Sequence, residues 1–142
     1  MRAFCDFRVL PELKLVVEYC SEELTIEDAM ALKVREAKSR AFDPTYNIIT
    51  DLRDSDVVVA EDEVDGFIDF LQNYQGLAGK RRTALITRTP SQVILSSLMK
   101  YAASGLPIHF EVFSTLEAGM HFVGANDQSQ GSIEAAIAEM KR

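Results

Sequence analysis

Oxygen atoms that could bind a hard metal cation are concentrated in one short part of the chain. Between Asp51 and Asp69 there are eight acidic residues and one basic residue, a local net charge of −7 that equals the net charge of the whole protein. Mg²⁺ and Ca²⁺ bind where several such oxygens converge. Asp51, Asp54 and Asp56 do not follow the Asp-x-Asp-x-Asp-Gly pattern of a calcium loop, so we predict no metal site. Instead, we expect Asp51 to cap a turn and the acids after residue 60 to complement a helix dipole.

The residues that usually carry out hydrolysis or nucleotide chemistry form no recognisable motif. The two histidines, His109 and His121, lack the spacing of a metal-binding pair, and the chain has no Gly-x-Ser-x-Gly elbow. The seven glycines form neither a Gly-x-Gly-x-x-Gly loop nor a Walker A sequence. We therefore predict a protein that is not an enzyme, has no catalytic residues and needs no cofactor.

Two surfaces remain as candidate binding sites. Acidic residues flank a short β-branched run, which is typical of a contact surface for another protein. This predicted partner patch consists of Asp54, Asp56, Val57, Val58, Glu61, Asp62 and Asp65. The alternative is a carrier that holds a small apolar or anionic ligand at the carboxyl ends of neighbouring strands and at a helix N-terminus. Its predicted ligand site consists of Asp51, Arg53, Thr87, Arg88 and Ser91.

Composition limits the classes of partner. A chain of 142 residues with 47% hydrophobic and 26% charged residues fits one globular domain. Its apolar runs are too short for a membrane span, and its first residues do not resemble a secretory signal, so we expect a cytoplasmic protein with free Cys5 and Cys20. A pI near 4.8 argues against binding to nucleic acid or to a membrane surface. The short basic run 80–82 is expected to be a solvated approach to a strand.

The first elements that would position these residues are a hairpin, a helix and a strand. Residues 4–9 and 13–19 predict an antiparallel hairpin with one wetter face. Thr25 is the predicted N-cap of a helix that ends before Asp43-Pro44. Residues 46–51 form a buried strand that should lead into an acidic loop, followed by an amphipathic helix whose apolar residues are Val64, Phe67, Ile68, Leu71 and Tyr74.

The second half of the chain continues the alternation of strands and helices. A strand at 83–87 precedes a helix with Thr89 at the N-cap, Pro90 at N1 and Gln92 at N3. That helix is expected to bury Ile94, Leu98, Met99 and Ala102. A strand at 108–113 and a short helix at 116–123 follow. After a polar hinge at 126–132, the last helix carries an apolar stripe that docks on its own sheet or on a second subunit; its residues are Ile133, Ala136, Ile137 and Met140.

This alternation predicts an α/β protein with one domain over residues 1–142. Its sheet is mixed and roughly five-stranded, with an N-terminal antiparallel hairpin followed by βα units and right-handed crossovers. A homodimer is also predicted, because the hairpin edge and the last apolar stripe both need partners.

Several segments together resemble a known family. The strand Tyr46-Asn47-Ile48-Ile49-Thr50-Asp51-Leu52-Arg53 and the segment Phe110-Glu111-Val112-Phe113-Ser114-Thr115-Leu116-Glu117-Ala118, in the order of elements above, are similar to SpoIIAA-like, STAS-type domains over residues 4–123. The resemblance implies the fold and a regulatory module that binds another protein. It places Ala60 and Glu61 near the position where family members carry a phosphorylatable serine, and neither residue accepts a phosphate. Related domains of CRAL-TRIO type hold apolar ligands between helices and sheet, which is the fold-level basis of the carrier alternative.

Overall fold

The computed structural model describes residues 3–142 as a five-stranded sheet with helices on both faces; the first two residues of the predicted domain lie outside the described part. The strands are β1 (Phe4–Leu10), β2 (Leu15–Leu24), β3 (Asn47–Val57), β4 (Arg81–Ile86) and β5 (Ile108–Phe113). The helices are α1 (Ile26–Lys38), α2 (Glu61–Asn73), α3 (Pro90–Ala102), α4 (Leu116–Phe122) and α5 (Gln130–Met140). Short 3₁₀ turns lie at Pro11–Leu13 and Asp127–Ser129. Within residues 3–142, each helix is too short or too polar to cross a bilayer.

The strands lie side by side in sequence order. β1 pairs antiparallel with β2, and the pairs β2–β3, β3–β4 and β4–β5 are parallel. Successive right-handed crossovers that advance in one direction place their helices on one face, so α1, α2 and α3 share a core beneath the sheet. α4 and α5 cover the opposite face with a second core. The predicted mixed, five-stranded α/β fold is confirmed.

β2 is an interior strand. The prediction that one face of the hairpin is more exposed to solvent is therefore wrong for β2. All residues from Leu15 to Cys20 are buried. Val17 packs in the core beneath α4 and α5, whereas Cys20 packs in the core beneath α1, α2 and α3. The alternation of residue types indicated solvent on one side, but α1 covers that side and encloses Glu18, which is 2% exposed. Cys5 and Cys20 face each other across β1 and β2 as free thiols.

The acidic segment begins as a strand, not as the predicted loop. β3 continues to Val57 because its second half pairs with the end of β2, where Asp54 lies beside Ser21 and Asp56 beside Glu23. Cross-strand pairing overrides the low strand propensity of aspartate. Only residues 58–60 connect β3 to α2.

Two further predictions about burial are wrong. Ile94, expected in the core, is 61% exposed, because α3 turns Gln92, Leu95 and Ser96 toward the sheet instead. Arg81, expected in a solvated approach, is 3% exposed because it is the first residue of β4 and pairs with Ile108.

The last helix docks on its own sheet. The stripe on α5 is buried in the core shared with β2, β3 and α4. Part of the predicted hinge is ordered as a 3₁₀ turn and the start of α5, with Ser129 buried. The homodimer stays a prediction, and it now depends on the sheet edge and not on this stripe.

Candidate functional site

An ion pair between Asp51 and Arg53 lies in the middle of β3, where the neighbouring strand β4 ends beside Asp51. Asp51 is 1% exposed, and its two oxygens accept hydrogen bonds from Nε and Nη2 of Arg53 at 2.9 and 3.0 Å. The backbone N–H of Arg53 also donates to Asp51, at 3.1 Å. This pairing raises the pKa of Arg53. Asp51 and Arg53 are both residues of β3, so the predicted turn at Asp51 is wrong, and the Asp51 oxygens are occupied by the protein itself.

Asp54 belongs to a separate polar network on the side of α5. Its carboxylate accepts a 2.6 Å hydrogen bond from the Tyr19 hydroxyl and lies 3.4 Å from Nη2 of Arg88 and 3.6 Å from Nζ of Lys141. The Tyr19 hydrogen bond, with help from the two cations, holds the pKa of Asp54 below its usual value. Burial and Asp54 together raise the pKa of Tyr19 to about 12. Asp54 thus links β2 and β3 to the end of α5 through Tyr19 and Lys141. Its carboxylate is therefore already paired and is not available as part of the predicted partner patch.

Gln92 is a positioning residue that sequence analysis identified only as a helix cap. Its side chain is fully buried, and its Oε1 accepts hydrogen bonds from the backbone N–H groups of Arg88 and Thr89 at 2.6 and 3.1 Å. Its Nε2 donates to the backbone oxygens of Arg53 and Ser55 at 3.3 and 2.8 Å. Gln92 therefore fastens the start of α3 to β3, which a local capping pattern does not indicate.

The structure brings three of the five residues of the predicted ligand site together. Asp51 pairs with Arg53, and Nη2 of Arg88 donates to the Arg53 backbone oxygen at 2.6 Å. The Thr87 hydroxyl donates to the backbone oxygen of Phe113, and the Ser91 hydroxyl lies 3.3 Å from that of Thr89. The order of the described strands also never reverses, so the sheet has no topological switch point at this edge.

The exposed part of the predicted partner patch is smaller than the sequence indicated. Val57 is half-buried against the core beneath α1, α2 and α3. We call the remaining exposed set the acidic patch: Asp56, Val58, Glu61, Asp62 and Asp65. Val58 is 52% exposed, and none of the four carboxylates forms an ion pair within residues 3–142. The acidic patch follows the last ladder pairs of β3 and forms the first turns of α2, so its backbone is held in place.

A second group of charges lies inside the protein, and sequence analysis missed it. Lys33 on α1 donates to Glu18 on β2 at 2.6 Å and to Glu36 at 3.3 Å. The Thr50 hydroxyl donates to the other oxygen of Glu18 at 2.6 Å. Arg81 donates through Nη1 to the backbone oxygens of residues 44 and 77. We call Glu18, Lys33, Glu36 and Arg81 the buried charge cluster.

The pKa values of the two carboxyl groups in the buried charge cluster are shifted in opposite directions. Burial alone would raise the pKa of Glu18, but the charge of Lys33 and the hydrogen bonds around Glu18 outweigh burial and lower it to about 2. Burial and the negative charge of Glu18 instead raise the pKa of Glu36 well above its usual value. Burial alone would lower the pKa of Lys33, but the nearby Glu18 and Glu36 outweigh burial and raise it overall. One ammonium is therefore shared by two carboxyl groups whose pKa values are shifted in opposite directions.

Residues 3–142 contain no group of three or more His, Cys, Asp or Glu side chains arranged to hold a metal ion. Three groups of polar residues therefore remain as candidate functional features. They are the Asp51–Arg53 ion pair, the acidic patch and the buried charge cluster.

Comparisons with known proteins agree with the fold. No family model matches the chain, and no curated protein matches it. The chain is similar to the crystal structure of an uncharacterised protein from Shewanella loihica PV-4, of the DUF3478 family with a SpoIIAA-like fold. The TM-score is 0.54 at 16% sequence identity, over 85% of this chain and 93% of that chain. This likeness shows the fold alone, and the resemblance predicted from the sequence is confirmed at that level: the chain has a SpoIIAA-like fold.

Proposed function

We propose that this chain is a non-catalytic, cytoplasmic STAS-like module that regulates a partner protein by binding it through the acidic patch. The observation that carries the proposal is that four exposed carboxylates form no ion pair with any described residue and lie beside a half-exposed valine. The partner-binding role is also what the resemblance to STAS-type domains implies.

The chemistry of the acidic patch defines the partner. Interfaces combine an apolar contact with a charged rim, and Val58 supplies the apolar contact between Asp56 and Glu61. Complementary charges accelerate encounter and exclude partners of the wrong sign. The expected partner therefore presents Lys or Arg around a shallow apolar depression, and its association weakens as salt is added.

Charge reversal with a matched control tests the proposal. In one variant Glu61, Asp62 and Asp65 are each changed to Lys; in the control, the exposed residues Glu12, Asp127 and Glu134 are changed in the same way. Both variants change the net charge equally. Proteins that cross-link to the wild-type chain in a lysate of its source cells are first identified and purified. The affinity of each for the wild-type chain and for the two variants is then measured by calorimetry.

We expect the patch variant to bind at least tenfold more weakly than wild type, because like charges now face the partner. The control should bind within about twofold of wild type. A partner that binds the patch variant as tightly as wild type would contradict the proposal, as would equal weakening by both variants, which would indicate net charge and not this surface.

A further inference from the structure

A cavity of about 70 Å³ lies between the sheet and helices α1, α2 and α3. A single water needs roughly 10–15 Å³ by this measure, so the space holds a molecule of several non-hydrogen atoms. Most of its wall is aliphatic or aromatic, including Leu24, Leu52, Phe67, Leu85 and Leu95. Apolar walls are poorly hydrated, which favours an apolar occupant over water.

The two ends of the cavity differ in polarity. Glu18, Lys33 and Arg81 from the buried charge cluster line the inner end, where each is less than a tenth exposed. At the opposite end, Ile26, Ala29 and Val59 are only half-buried. The mouth therefore lies where α1 begins and where the chain leaves β3 for α2. A molecule entering there meets apolar walls first and charges last.

The inner end has hydrogen-bond donors without acceptors. Nε of Arg81 is buried and has no partner in the described structure, although Nη1 of the same side chain is bonded to two backbone oxygens. Lys33 uses two of its three N–H groups, one on Glu18 and one on Glu36. Oε2 of Glu36 is also buried without a partner, but Glu36 does not line the cavity. Buried donors are nearly always paired, and an oxygen acceptor inside the cavity would pair those of Arg81 and Lys33.

The cations at the inner end are matched unevenly by carboxylates. Lys33 and Arg81 are cations, and Glu18, whose pKa is lowered to about 2, is ionised. Burial and the charge of Glu18 raise the pKa of Glu36 well above its usual value, which disfavours its ionised form. A ligand carboxylate would supply negative charge beside the two cations.

We propose that the cavity binds a small amphiphilic monocarboxylate, with its carboxylate on Arg81 and Lys33 and its tail along the apolar wall toward Ala29. The site is distinct from the acidic patch, and it also differs from the carboxyl-edge residues predicted to hold a ligand. The observations that support ligand binding in the cavity are independent of those that support partner binding at the acidic patch. Either proposal therefore stands if the other fails.

A series of unbranched probes tests the ligand class. Wild-type protein, shown by native mass spectrometry to be free of small molecules, is titrated calorimetrically with butanoate, hexanoate and octanoate, and with octan-1-ol and octylamine. We expect affinity to rise about fourfold per added methylene until the cavity is full. Octanoate should bind about ten- to a hundredfold more tightly than octan-1-ol, through charge-assisted hydrogen bonds. Octylamine should bind less tightly than either.

Variants place the binding in the cavity. Ala29→Leu puts three more carbons at the mouth and should abolish octanoate binding. Ala31→Leu makes the same change at an exposed position of α1 and should leave binding unchanged. Arg81→Gln should remove the preference for octanoate over octan-1-ol. If Arg81→Gln fails to fold, the two alanine variants decide the location.

Three results would overturn the proposal. The first is the absence of saturable binding by every carboxylate in the series. The second is equal octanoate affinity in Ala29→Leu and Ala31→Leu, which would place the ligand elsewhere. The third is equal affinity for octanoate and octan-1-ol in the wild type, which would remove the carboxylate from the assignment.

Discussion

The acidic patch and the buried charge cluster are made of the same residue types but differ in what surrounds them. Four carboxylates of the acidic patch lie in water with no ion pairs among the described residues, whereas the cluster places two carboxyl groups and two cations inside the core. In water, charges interact weakly and are screened by salt. In the core, each charge depends on its neighbours, because the cost of removing it from water must be offset locally. The densest charge in the sequence is thus not the charge on which the fold depends most.

The largest effect is expected when the cluster loses its ammonium. In Lys33→Met, Glu18 keeps its charge but loses a 2.6 Å ion pair, and breaking a buried pair in this way costs about 3–5 kcal/mol. We expect the free energy of unfolding, measured by urea denaturation at pH 7, to fall by that amount. Lys38→Met changes an exposed lysine of the same helix and should cost less than about 0.5 kcal/mol.

A double variant separates loss of the pair from loss of packing. Glu18→Gln combined with Lys33→Met removes the isolated charge, so it should recover part of the stability that Lys33→Met loses. Equal losses in Lys33→Met and Lys38→Met would show that the buried pair contributes nothing to folding.

A smaller, pH-dependent effect is expected at Glu36. The folded state raises the pKa of Glu36 above 4.5, so it binds this proton more tightly than the unfolded chain does. Its contribution to stability is present below pH 4.5 and is lost as the pH rises through the folded pKa. Glu36→Gln keeps a neutral side chain at every pH. Its stability relative to wild type should therefore increase by up to about 1.4 kcal/mol per pH unit in this window, measured by urea denaturation from pH 5 to 8.

The same substitution at Glu18 provides the control, because its pKa moves the other way. The folded state lowers this pKa to about 2, so the ionised form stabilises the fold above pH 4.5, and that contribution is lost as the pH falls from 4.5 toward 2. Glu18→Gln should therefore destabilise the protein at pH 7. A difference in stability between Glu36→Gln and wild type that does not change with pH would contradict the raised pKa of Glu36.

Much of the fold follows from local patterns in the sequence. Thr25 and Thr89 each begin a helix with a complete capping box, as their neighbours indicate. β5 has the predicted bounds, and α4 ends one residue early. The errors lie where tertiary contacts override local preference. Asp54 and Asp56 extend β3 because β2 pairs with them, and Ile94 faces solvent because Gln92 and Leu95 set the rotation of α3.

The buried charge cluster could not be predicted in the same way. Glu18 alternates with apolar residues, as a solvent-facing strand residue would, and Lys33 lies at an ordinary position of a helix. Arg81 lies between two other basic or polar residues, which is typical of a surface run. Only the crossover of α1 onto the sheet and the interior position of β2 bring these three residues together. The spacing of Glu18, Lys33 and Arg81 along the sequence gives no indication that they lie close together in the fold.

The smallest expected effect is at the acidic patch, where it should have the opposite sign to that in the core. Asp65 lies one helical turn from Glu61 and one from Asp69, so three exposed carboxylates repel one another along α2. Asp65→Lys converts both repulsions into attractions of about 0.2–0.5 kcal/mol each, so thermal and urea unfolding should show stabilisation of roughly 0.5–1 kcal/mol at low salt.

Asp62→Lys is the matched control. Residue 62 lies in the first turn of α2, where a cation opposes the helix dipole, so this change should destabilise the protein by about 0.3–1 kcal/mol. Both effects should shrink in 1 M salt, whereas the loss in Lys33→Met should persist. Destabilisation by Asp65→Lys would mean that this carboxylate has a structural partner and that the contrast between surface and core charges does not hold in this protein.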